Sequence, residues 1–403
     1  MTPGPPAGLL ELHLREGTPE FLDMPWGVPV GAWDGICPRL VELPRGISRH
    51  EVRFAAWDSR VYAFKELGAQ DAKREYEQLL ELEARRLPVV TAVGWALVRR
   101  EGEDRAGILV TRFLDGALPY RVLFANPGLL RYGERLLDAL AGLLVRLHLA
   151  GVYWGDCSLS NTLFRRDAGE LGAYLVDAET AESHESLSER RRVHDLEIMD
   201  ENVAGEFADV AIANGLPDSL RDDDAAARIR QRYDALWAEI ARVEDVAPGE
   251  TWRIQERVRS LNALGFSVGE IELVPAADGT KLKMRTLVTD RDYHRHRVHD
   301  LTGLVAEERQ AQLLLNDIRE TQARLVRETS RSVSLGEAAF RWQNTRWEPT
   351  LAALQQPIEA GGEPVELFCQ VLEHKWFLSE RAQGDVGLEA AFQDYVRRFA
   401  AGP

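Results

Sequence analysis

The sequence predicts an α+β fold with two lobes, a small N-lobe on an antiparallel sheet and a helical C-lobe, followed by an additional, mostly helical C-terminal module. Segments with strand-like patterns occupy much of residues 39–111. A largely apolar helical pattern covers residues 136–150, and charged helical patterns dominate after residue 187. The chain has 403 residues, so it exceeds one ordinary domain and leaves a large C-terminal portion beyond a two-lobed core.

The predicted N-lobe consists of short strands and one helix. Four segments have the apolar or alternating pattern of strands: residues 39–44, 50–57, 60–66 and 107–111. Residues 45–49 form a tight turn between the first two. We expect Asp71 to cap a helix that runs through residue 86, with an apolar stripe along one side.

The predicted C-lobe begins with the apolar helix. It closes at Gly151, a residue that suits a left-handed C-cap. Two short strands follow at residues 162–164 and 173–176, joined by a turn over residues 165–172. The segment between the helix and this hairpin is therefore a loop held at both ends by regular structure.

That loop contains the spacing D-x-x-x-x-N, formed by Asp156 and Asn161, and Asp177 ends the second strand of the hairpin. The pattern is that of the kinase catalytic loop. Asp156 would accept the proton of a substrate hydroxyl, Asn161 would hold one magnesium ion, and Asp177 would bridge magnesium to the phosphates. Taken alone the spacing is weak evidence, because Asp and Asn are common in loops. The helix before it and the hairpin after it strengthen the interpretation.

The same chemistry requires a fixed positive charge to hold the phosphates of ATP. Lys65 is the candidate, because it lies in an alternating strand of the V-A-I-K type. Glu75 borders the apolar stripe of the following helix and is the predicted ion-pair partner. Glu77 is the alternative, since the helix pattern alone does not separate the two.

Two further segments are candidates for contact with the nucleotide. In the turn at residues 45–49, backbone amides near Gly46, together with Ser48, can meet phosphate oxygens, but the single glycine equally fits an ordinary hairpin turn. Arg112 and Phe113 open a predicted hinge whose backbone would bind adenine. The hinge assignment rests on the order of the elements.

Residues 39–195 resemble the kinase-like superfamily, and within it the bacterial lipopolysaccharide kinase (Kdo/WaaP) group. The strings Asp156-Cys157 and Asp177-Ala178-Glu179 also resemble those of choline and aminoglycoside kinases. The whole chain is similar to a bacterial family that combines a kinase-like domain with domain of unknown function 4032. The resemblance implies a protein-kinase-like fold, ATP and Mg²⁺ as cofactors, and a small-molecule or glycan acceptor.

The sequence also departs from the kinase pattern. Trp154 and Gly155 stand where kinases usually carry His and Arg, so control through a phosphorylated activation loop is not expected. Asp-Phe-Gly is replaced by Asp-Ala-Glu, which removes a packing Phe and adds a carboxylate. Glu179 is either a second magnesium ligand or the start of an acidic stretch over residues 179–189, and the sequence leaves both open.

Composition narrows the range of partners and the location. The formal net charge of −16 argues against a nucleic-acid partner and against association with anionic membranes. No uncharged apolar run reaches eighteen residues, so we expect no integral membrane association. Cys37, Cys157 and Cys369 are far apart in the sequence and suit a reducing cytoplasm, which is the predicted location.

These patterns divide the chain into five predicted parts: an N-terminal extension (1–30), the N-lobe (31–115), the C-lobe (116–245), an α-β-β-α module (246–330) and a C-terminal helical segment (331–403). A linker is expected at residues 356–362. The sequence indicates no role for the last two parts. We expect them to bind a protein partner or a second copy of the chain.

The sequence favours an enzyme, an ATP- and Mg²⁺-dependent phosphotransferase that moves the γ-phosphate to a hydroxyl of a small-molecule, sugar or lipid-linked acceptor, with Asp156 as the base. The alternative is a kinase-like nucleotide-binding regulatory or scaffold protein, a pseudokinase, to which the reduced glycine turn and the altered Asp-Ala-Glu motif point. Nucleotidyl transfer on the same scaffold is a third hypothesis. The identity of the acceptor is not indicated by the sequence.

Overall fold

The computed structural model divides the chain into two compact units. The first comprises Met1–Arg165 with Ala173–Trp237, and the second comprises Arg166–Gly172 with Ala238–Pro403. The structure describes residues 6–43, 49–58, 60–100, 104–125, 133–213, 224–246, 251–264, 266–275, 282–290, 292–329, 331–359, 361–382, 384 and 386–400.

A six-stranded antiparallel sheet forms the N-terminal lobe of the first unit. Its strands are β1 (Leu9–Leu14), β2 (Leu40–Val41), β3 (Val52–Trp57), β4 (Arg60–Gly68), β5 (Ala92–Arg99) and β6 (Arg105–Arg112). Their order in the sheet is β1-β5-β6-β4-β3-β2, so β4 lies inside the sheet between β3 and β6. The segment 1–30, predicted as an extension, supplies the edge strand β1, which pairs with β5.

Helix α1 (Asp71–Ala84) packs on β5 and β6. Its N-cap is Gln70, whose side chain makes no capping hydrogen bond, so the prediction of Asp71 as the cap is wrong by one residue. Asp71 is the first helical residue instead, where a carboxylate still interacts favourably with the positive end of the helix dipole.

Phe64 of β4 lies at the centre of an aromatic core on one face of the sheet. The side chain is fully buried and meets the rings of Phe21, Trp26 and Trp33 edge-on or tilted, at centroid distances of 5.5, 6.1 and 5.3 Å. The indole N–H groups of Trp26 and Trp33 donate to backbone carbonyls, so these large side chains are buried without losing hydrogen bonds. Residues that precede β2 therefore complete the core of the lobe.

The helical lobe follows the sheet. Its elements are β7 (Ala117–Pro119), α2 (Tyr120–Ala125), α3 (Gly133–Leu149), β8 (Val152–Tyr153), β9 (Thr162–Asp167), β10 (Glu170–Leu175), β11 (Glu182–Ser183), α4 (Glu189–Ala213) and α5 (Ala225–Ala241). Strand β9 lies between β10 and β7, and β8 pairs with β11.

Helix α3 is the apolar helix that the sequence predicts, and most of its side chains are buried. Gly151 follows it with a φ of +77°, as predicted for a left-handed cap, and an added Cβ would lie 2.4 Å from the carbonyl oxygen of His184. Within α3, His148 contacts the Tyr233 hydroxyl at 2.7 Å and the Asp195 carboxylate at 3.1 Å. Burial lowers the pKa of His148, so a neutral imidazole joins α3 to α5 and α4.

The β9–β10 hairpin is longer than predicted. A turn was expected over residues 165–172, but the strands continue to Asp167 and resume at Glu170, so Ala168 and Gly169 alone form the turn, both with positive φ. The charged residues that indicated a loop lie in the ladder. The hairpin tip belongs to the second unit, where Asp167 accepts hydrogen bonds from the backbone N–H groups of Arg309 and Gln310.

The second unit contains a small sheet and many helices. Its elements are β12 (Glu244–Val246), α6 (Thr251–Ala263), β13 (Ser267–Pro275), β14 (Leu282–Asp290), α7 (Tyr293–Thr302), α8 (Glu308–Thr329), α9 (Leu335–Trp342), α10 (Glu348–Ala353), α11 (Gln355–Glu359), α12 (Pro364–Ala382) and α13 (Leu388–Tyr395). The predicted hairpin is present as β13 and β14, and β12 adds a third strand that three residues are too few to predict. Most of the linker expected at residues 356–362 is helical in α11.

A buried ion pair organises the core of this second unit. Trp342 stacks near Trp347 and meets Phe368 edge-on. The buried carboxylate of Asp317 accepts from the Trp342 indole N–H at 2.6 Å and from the Arg346 guanidinium at 2.6 and 3.0 Å. The charge and the indole N–H are thereby satisfied within the apolar cluster.

We predict that Phe64→Ala lowers the free energy of unfolding by about 3–5 kcal/mol, because it leaves a cavity among rigid aromatic rings. Phe340→Ala is the matched control: its side chain is 67% exposed, and we expect a change within about 0.5 kcal/mol. Urea denaturation followed by circular dichroism measures both. Equal losses in the two variants would contradict the aromatic core described above.

Candidate active site

A cleft of about 740 Å³ lies in the first unit, and its walls come from the sheet and from the helical lobe. Pockets of this size hold nucleotide-sized ligands. The structure brings most of the predicted site residues to this cleft: Lys65, Arg112, Phe113, Asp156, Asn161, Asp177 and Glu179. Gly46 and Ser48 lie outside the described residues.

Lys65 is held between two carboxylates. It projects from β4, and its Nζ lies 3.0 Å from Glu75 Oε2 and 2.7 Å from Asp177 Oδ2. Glu75 sits on the buried face of α1 and is completely shielded from solvent. Glu77, the alternative partner, is exposed and lies 3.8 Å from Lys73 instead. The ion pair that the sequence predicts therefore forms with Glu75.

The charge states of this group are set by burial and by the partners. Burial raises the pKa of Glu75 to about 7, although the ammonium of Lys65 acts in the opposite direction. Burial alone would lower the pKa of Lys65, but the charges of Glu75 and Asp177 outweigh it and raise the pKa. Lys65 thus remains a permanent cation facing the cleft.

The loop that carries Asp156 begins with a glycine in a conformation other residues rarely adopt. Gly155 has a φ of +79°, and an added Cβ would lie 3.0 Å from both the Thr180 carbonyl oxygen and the Tyr153 ring. A Cβ at this position would meet both steric crowding and backbone strain. The glycine that replaces the usual Arg is therefore required by this loop path.

The Asp156 carboxylate accepts three hydrogen bonds. Asn161 Nδ2 donates to Oδ2 at 3.0 Å, Arg49 donates to the same oxygen at 2.8 Å, and Asn202 Nδ2 donates to Oδ1 at 3.0 Å. The Arg49 side chain is 84% exposed, so its contact is the weakest constraint of the three. The two amides fix the plane of the carboxylate.

Asn161, Asp177 and Glu179 present oxygen atoms suited to a magnesium ion. Because Nδ2 of Asn161 donates to Asp156, the side-chain oxygen Oδ1 is the atom available as a ligand. Asp177 adds a carboxylate, and Glu179 lies two residues on, 3.4 Å from His50. Few carboxylates and a neutral oxygen fit a hard cation that keeps several waters. Among the described residues, no group of three or more His, Cys, Asp or Glu side chains forms a metal site of its own.

Arg112 and Phe113 line the cleft where the predicted hinge lies. The N–H of Arg112 donates to the Thr91 carbonyl at 2.8 Å, and the N–H of Phe113 donates to the Val61 carbonyl at 2.9 Å. Both amides are therefore engaged within the sheet. An adenine base at this position would have to use other backbone groups of the segment.

Sequence reasoning missed the contribution of α4. Asp195, Asn202 and Glu206 of this helix all contact the loop at residues 154–160. Their spacing of seven and four residues places them on one helical face, and this spacing is a signal that the sequence contains. The many other charged residues of α4 obscured it.

The raised pKa of Glu75 predicts a pH dependence of stability. A carboxyl with a pKa of about 7 in the folded protein and 4.5 in the unfolded chain favours folding most below pH 4.5, and this contribution is lost as the pH rises through 7. We expect the unfolding free energy of the wild type, relative to Glu75→Gln, to fall by about 3 kcal/mol between pH 4.5 and 7.5.

Urea titrations at several pH values test this expectation. Glu77→Gln, on the exposed face of the same helix, is the control and should follow the wild type at every pH. A wild-type advantage over Glu75→Gln that stays constant or grows with pH would mean that Lys65 keeps Glu75 ionised throughout.

Two family models match different parts of the chain, and the second match begins close to the start of the second unit's longer segment. Residues 55–215 match the model of the lipopolysaccharide kinase (Kdo/WaaP) family, and residues 235–400 match the domain of unknown function DUF4032. Among solved structures the chain is similar to one described as WaaP in complex with acyl carrier protein, with 18% sequence identity and a TM-score of 0.35, over 63% of this chain and 99% of that chain. No curated protein matches the sequence.

None of the helices in the described part of the chain combines the length and the apolar character that crossing a bilayer requires. Most residues that line the cleft lie in the segment of the first match, and the second match lies almost entirely in the second unit. Two family models thus match successive parts of the chain, that of the lipopolysaccharide kinase (Kdo/WaaP) family over residues 55–215 and that of DUF4032 over residues 235–400.

Proposed function

We propose that this protein is a cytoplasmic ATP- and Mg²⁺-dependent phosphotransferase that moves the γ-phosphate of ATP to a hydroxyl of a small-molecule, sugar or lipid-linked acceptor. One observation carries the proposal: an ammonium, a paired carboxylate and the Asp156–Asn161 loop meet in one nucleotide-sized cleft, although they come from segments about 100 residues apart in the sequence. The family match of residues 55–215 supports the same reaction class.

Lys65 supplies the fixed positive charge. Its two carboxylate partners hold the ammonium on the wall of the cleft, so phosphate oxygens would meet a charge that is already oriented. This arrangement costs little reorganisation when the nucleotide binds, which is how positioned charges lower the barrier of phosphoryl transfer.

Asp156 is the proposed general base. Its carboxylate is oriented by two amide donors, and an acceptor hydroxyl that replaced the exposed Arg49 at Oδ2 could transfer its proton there. Asn161 and Asp177, with Glu179 beside them, would hold magnesium, which supplies neutralisation of phosphate charge when bound.

A pseudokinase is the second candidate, and one observation favours it. Arg49 and Asn161 together occupy Oδ2 of Asp156, so the proposed base is engaged on the side that a hydroxyl would approach. A nucleotide-binding regulatory protein could keep this contact permanently. Binding and turnover experiments separate the two candidates.

We predict that a non-hydrolysable ATP analogue binds the wild type about tenfold or more tightly with Mg²⁺ than without it, and that Asp177→Ala removes most of this difference, because a ligand of the cation is lost. Isothermal titration calorimetry measures both affinities. Asp209→Ala, at a 68% exposed position on α4, is the control and should keep the wild-type ratio. Binding that is independent of Mg²⁺ in the wild type would remove the basis of the proposal.

We predict that Asp156→Ala lowers the rate of ADP formation by about 100-fold or more while the affinity for the analogue changes less than about threefold, because a general base acts on the rate rather than on nucleotide binding. The assay uses water and then a panel of sugars, amino alcohols and aminoglycosides as acceptors. Nucleotide binding without turnover in the wild type under every acceptor would favour the pseudokinase.

A further inference from the structure

Helix α4 contacts the proposed catalytic loop at both of the loop's ends and in its middle. Asp195, Asn202 and Glu206 contact the loop in the same order as the loop residues follow one another, so the loop runs along the helix in the same direction. At about 1.5 Å per residue the three side chains span about 16 Å on one face of the helix.

The two ends of the loop are fixed through backbone amides. Asp195 accepts from the N–H groups of Trp154 and Gly155 at 2.8 and 2.9 Å. Glu206 accepts from the N–H groups of Leu159 and Ser160, both at 2.7 Å. Ionised carboxylates that receive two backbone donors each make strong, directional contacts, so both ends of the loop are held by acceptors on the helix.

The middle of the loop presents the opposite chemistry. Here the carboxylate of Asp156 and the carbonyl of Cys157 both need donors, and Asn202 supplies both through Nδ2, at 3.0 and 3.1 Å. A carboxylate in place of Asn202 would face Asp156 with like charge, and an apolar side chain would leave Oδ1 without this donor. The amide is thus the side chain that matches this position of the helix.

Asn202 also constrains a different oxygen from the one bound by Asn161. Asn161 donates to Oδ2 from within the loop, whereas Asn202 donates to Oδ1 from α4. Two donors on opposite oxygens define both the rotation and the tilt of the carboxylate. Loss of Asn202 would leave the carboxylate held through Oδ2 alone, while the ends of the loop stay in place.

We propose that Asn202 is a positioning residue that orients the carboxylate of Asp156 for proton acceptance. The inference rests on the proposed function, because it assigns Asn202 a role through the base of that reaction. It goes beyond a structural contact, since the orientation of the base affects the rate and not the binding of nucleotide.

A double-mutant cycle in the full-length protein tests the inference, with MgATP as substrate and water as acceptor. Asn202→Ala should lower kcat about tenfold or more and change the KM for ATP less than about twofold. Asn202→Asp should lower kcat further, because it adds a like charge next to the base. In the Asp156→Ala background, Asn202→Ala should have no further effect on kcat, since its target is absent.

Asn344→Asp is the matched control, because it makes the same chemical change at an exposed asparagine of the second unit. It should keep the wild-type kcat. Thermal unfolding of each variant, compared with the wild type, distinguishes a misfolded protein from a misoriented base. Asn202→Ser keeps a smaller hydrogen-bond donor at this position, so its kcat should lie between those of Asn202→Ala and the wild type.

Three outcomes would overturn the inference. If the effects of Asn202→Ala and Asp156→Ala multiply, Asn202 acts independently of the base and its role is structural. If Asn202→Ala raises KM and leaves kcat unchanged, the residue contributes to binding instead. If the wild type forms no ADP with water or with any acceptor of the panel, the proposed function fails and this inference fails with it, whereas measurable wild-type turnover without coupling refutes the inference alone.

Discussion

The buried ammonium of Lys65 is the constraint on which the arrangement of the cleft depends. Its side chain is only 13% exposed, and a buried charge without partners would cost several kcal/mol. Glu75 comes from α1 and Asp177 from the end of the β9–β10 hairpin, so one cation fixes a strand, a helix and a hairpin of the other lobe with respect to each other. The packing of the sheet against the helical lobe is therefore coupled to these two ion pairs.

A second layer of constraint comes from the backbone of the proposed catalytic loop. A loop has amides and carbonyls without strand or helix partners, and such groups must be satisfied when they are buried. Helix α4 satisfies the amides at both ends of the loop with carboxylates, and His148 in turn donates to Asp195. This series of hydrogen bonds links α3 through Asp195 to the loop. The position of Asp156 is therefore determined by the packing of the helical lobe.

The sequence predicted those parts of the site that depend on local pattern. Lys65 was identifiable from its alternating strand, and Glu75 was preferred over Glu77 because the helical period places it at the border of the apolar stripe; the structure has the ion pair at Glu75. The contacts of Asn202 were not predictable in the same way. Periodicity shows which residues share a helical face, but it does not show which distant loop that face meets.

Other differences have equally local causes. A three-residue strand such as β12 has too little pattern to stand out. The arginines in β9 suggested a turn, but the ladder continues to Asp167. The role of residues 1–30 in the core of the N-terminal lobe was hidden for another reason. Phe21 and Trp26 lie in irregular segments, so their burial follows from tertiary packing and not from any strand or helix period.

The charges along the cleft bear on how a nucleotide would bind. Among the residues that the structure describes, the lining contains five acidic residues, Glu51, Asp156, Asp177, Glu179 and Glu206, against three lysine or arginine residues, Arg49, Lys65 and Arg112. A triphosphate carries several negative charges of its own, so these three cations do not balance the combined charge. Because Lys65 is already paired with two carboxylates, most of its charge is compensated before any ligand arrives. Under the proposed function, a divalent cation that enters with the nucleotide would add positive charge, and the oxygen-rich side of the cleft at Asn161 and Asp177 is where it would bind.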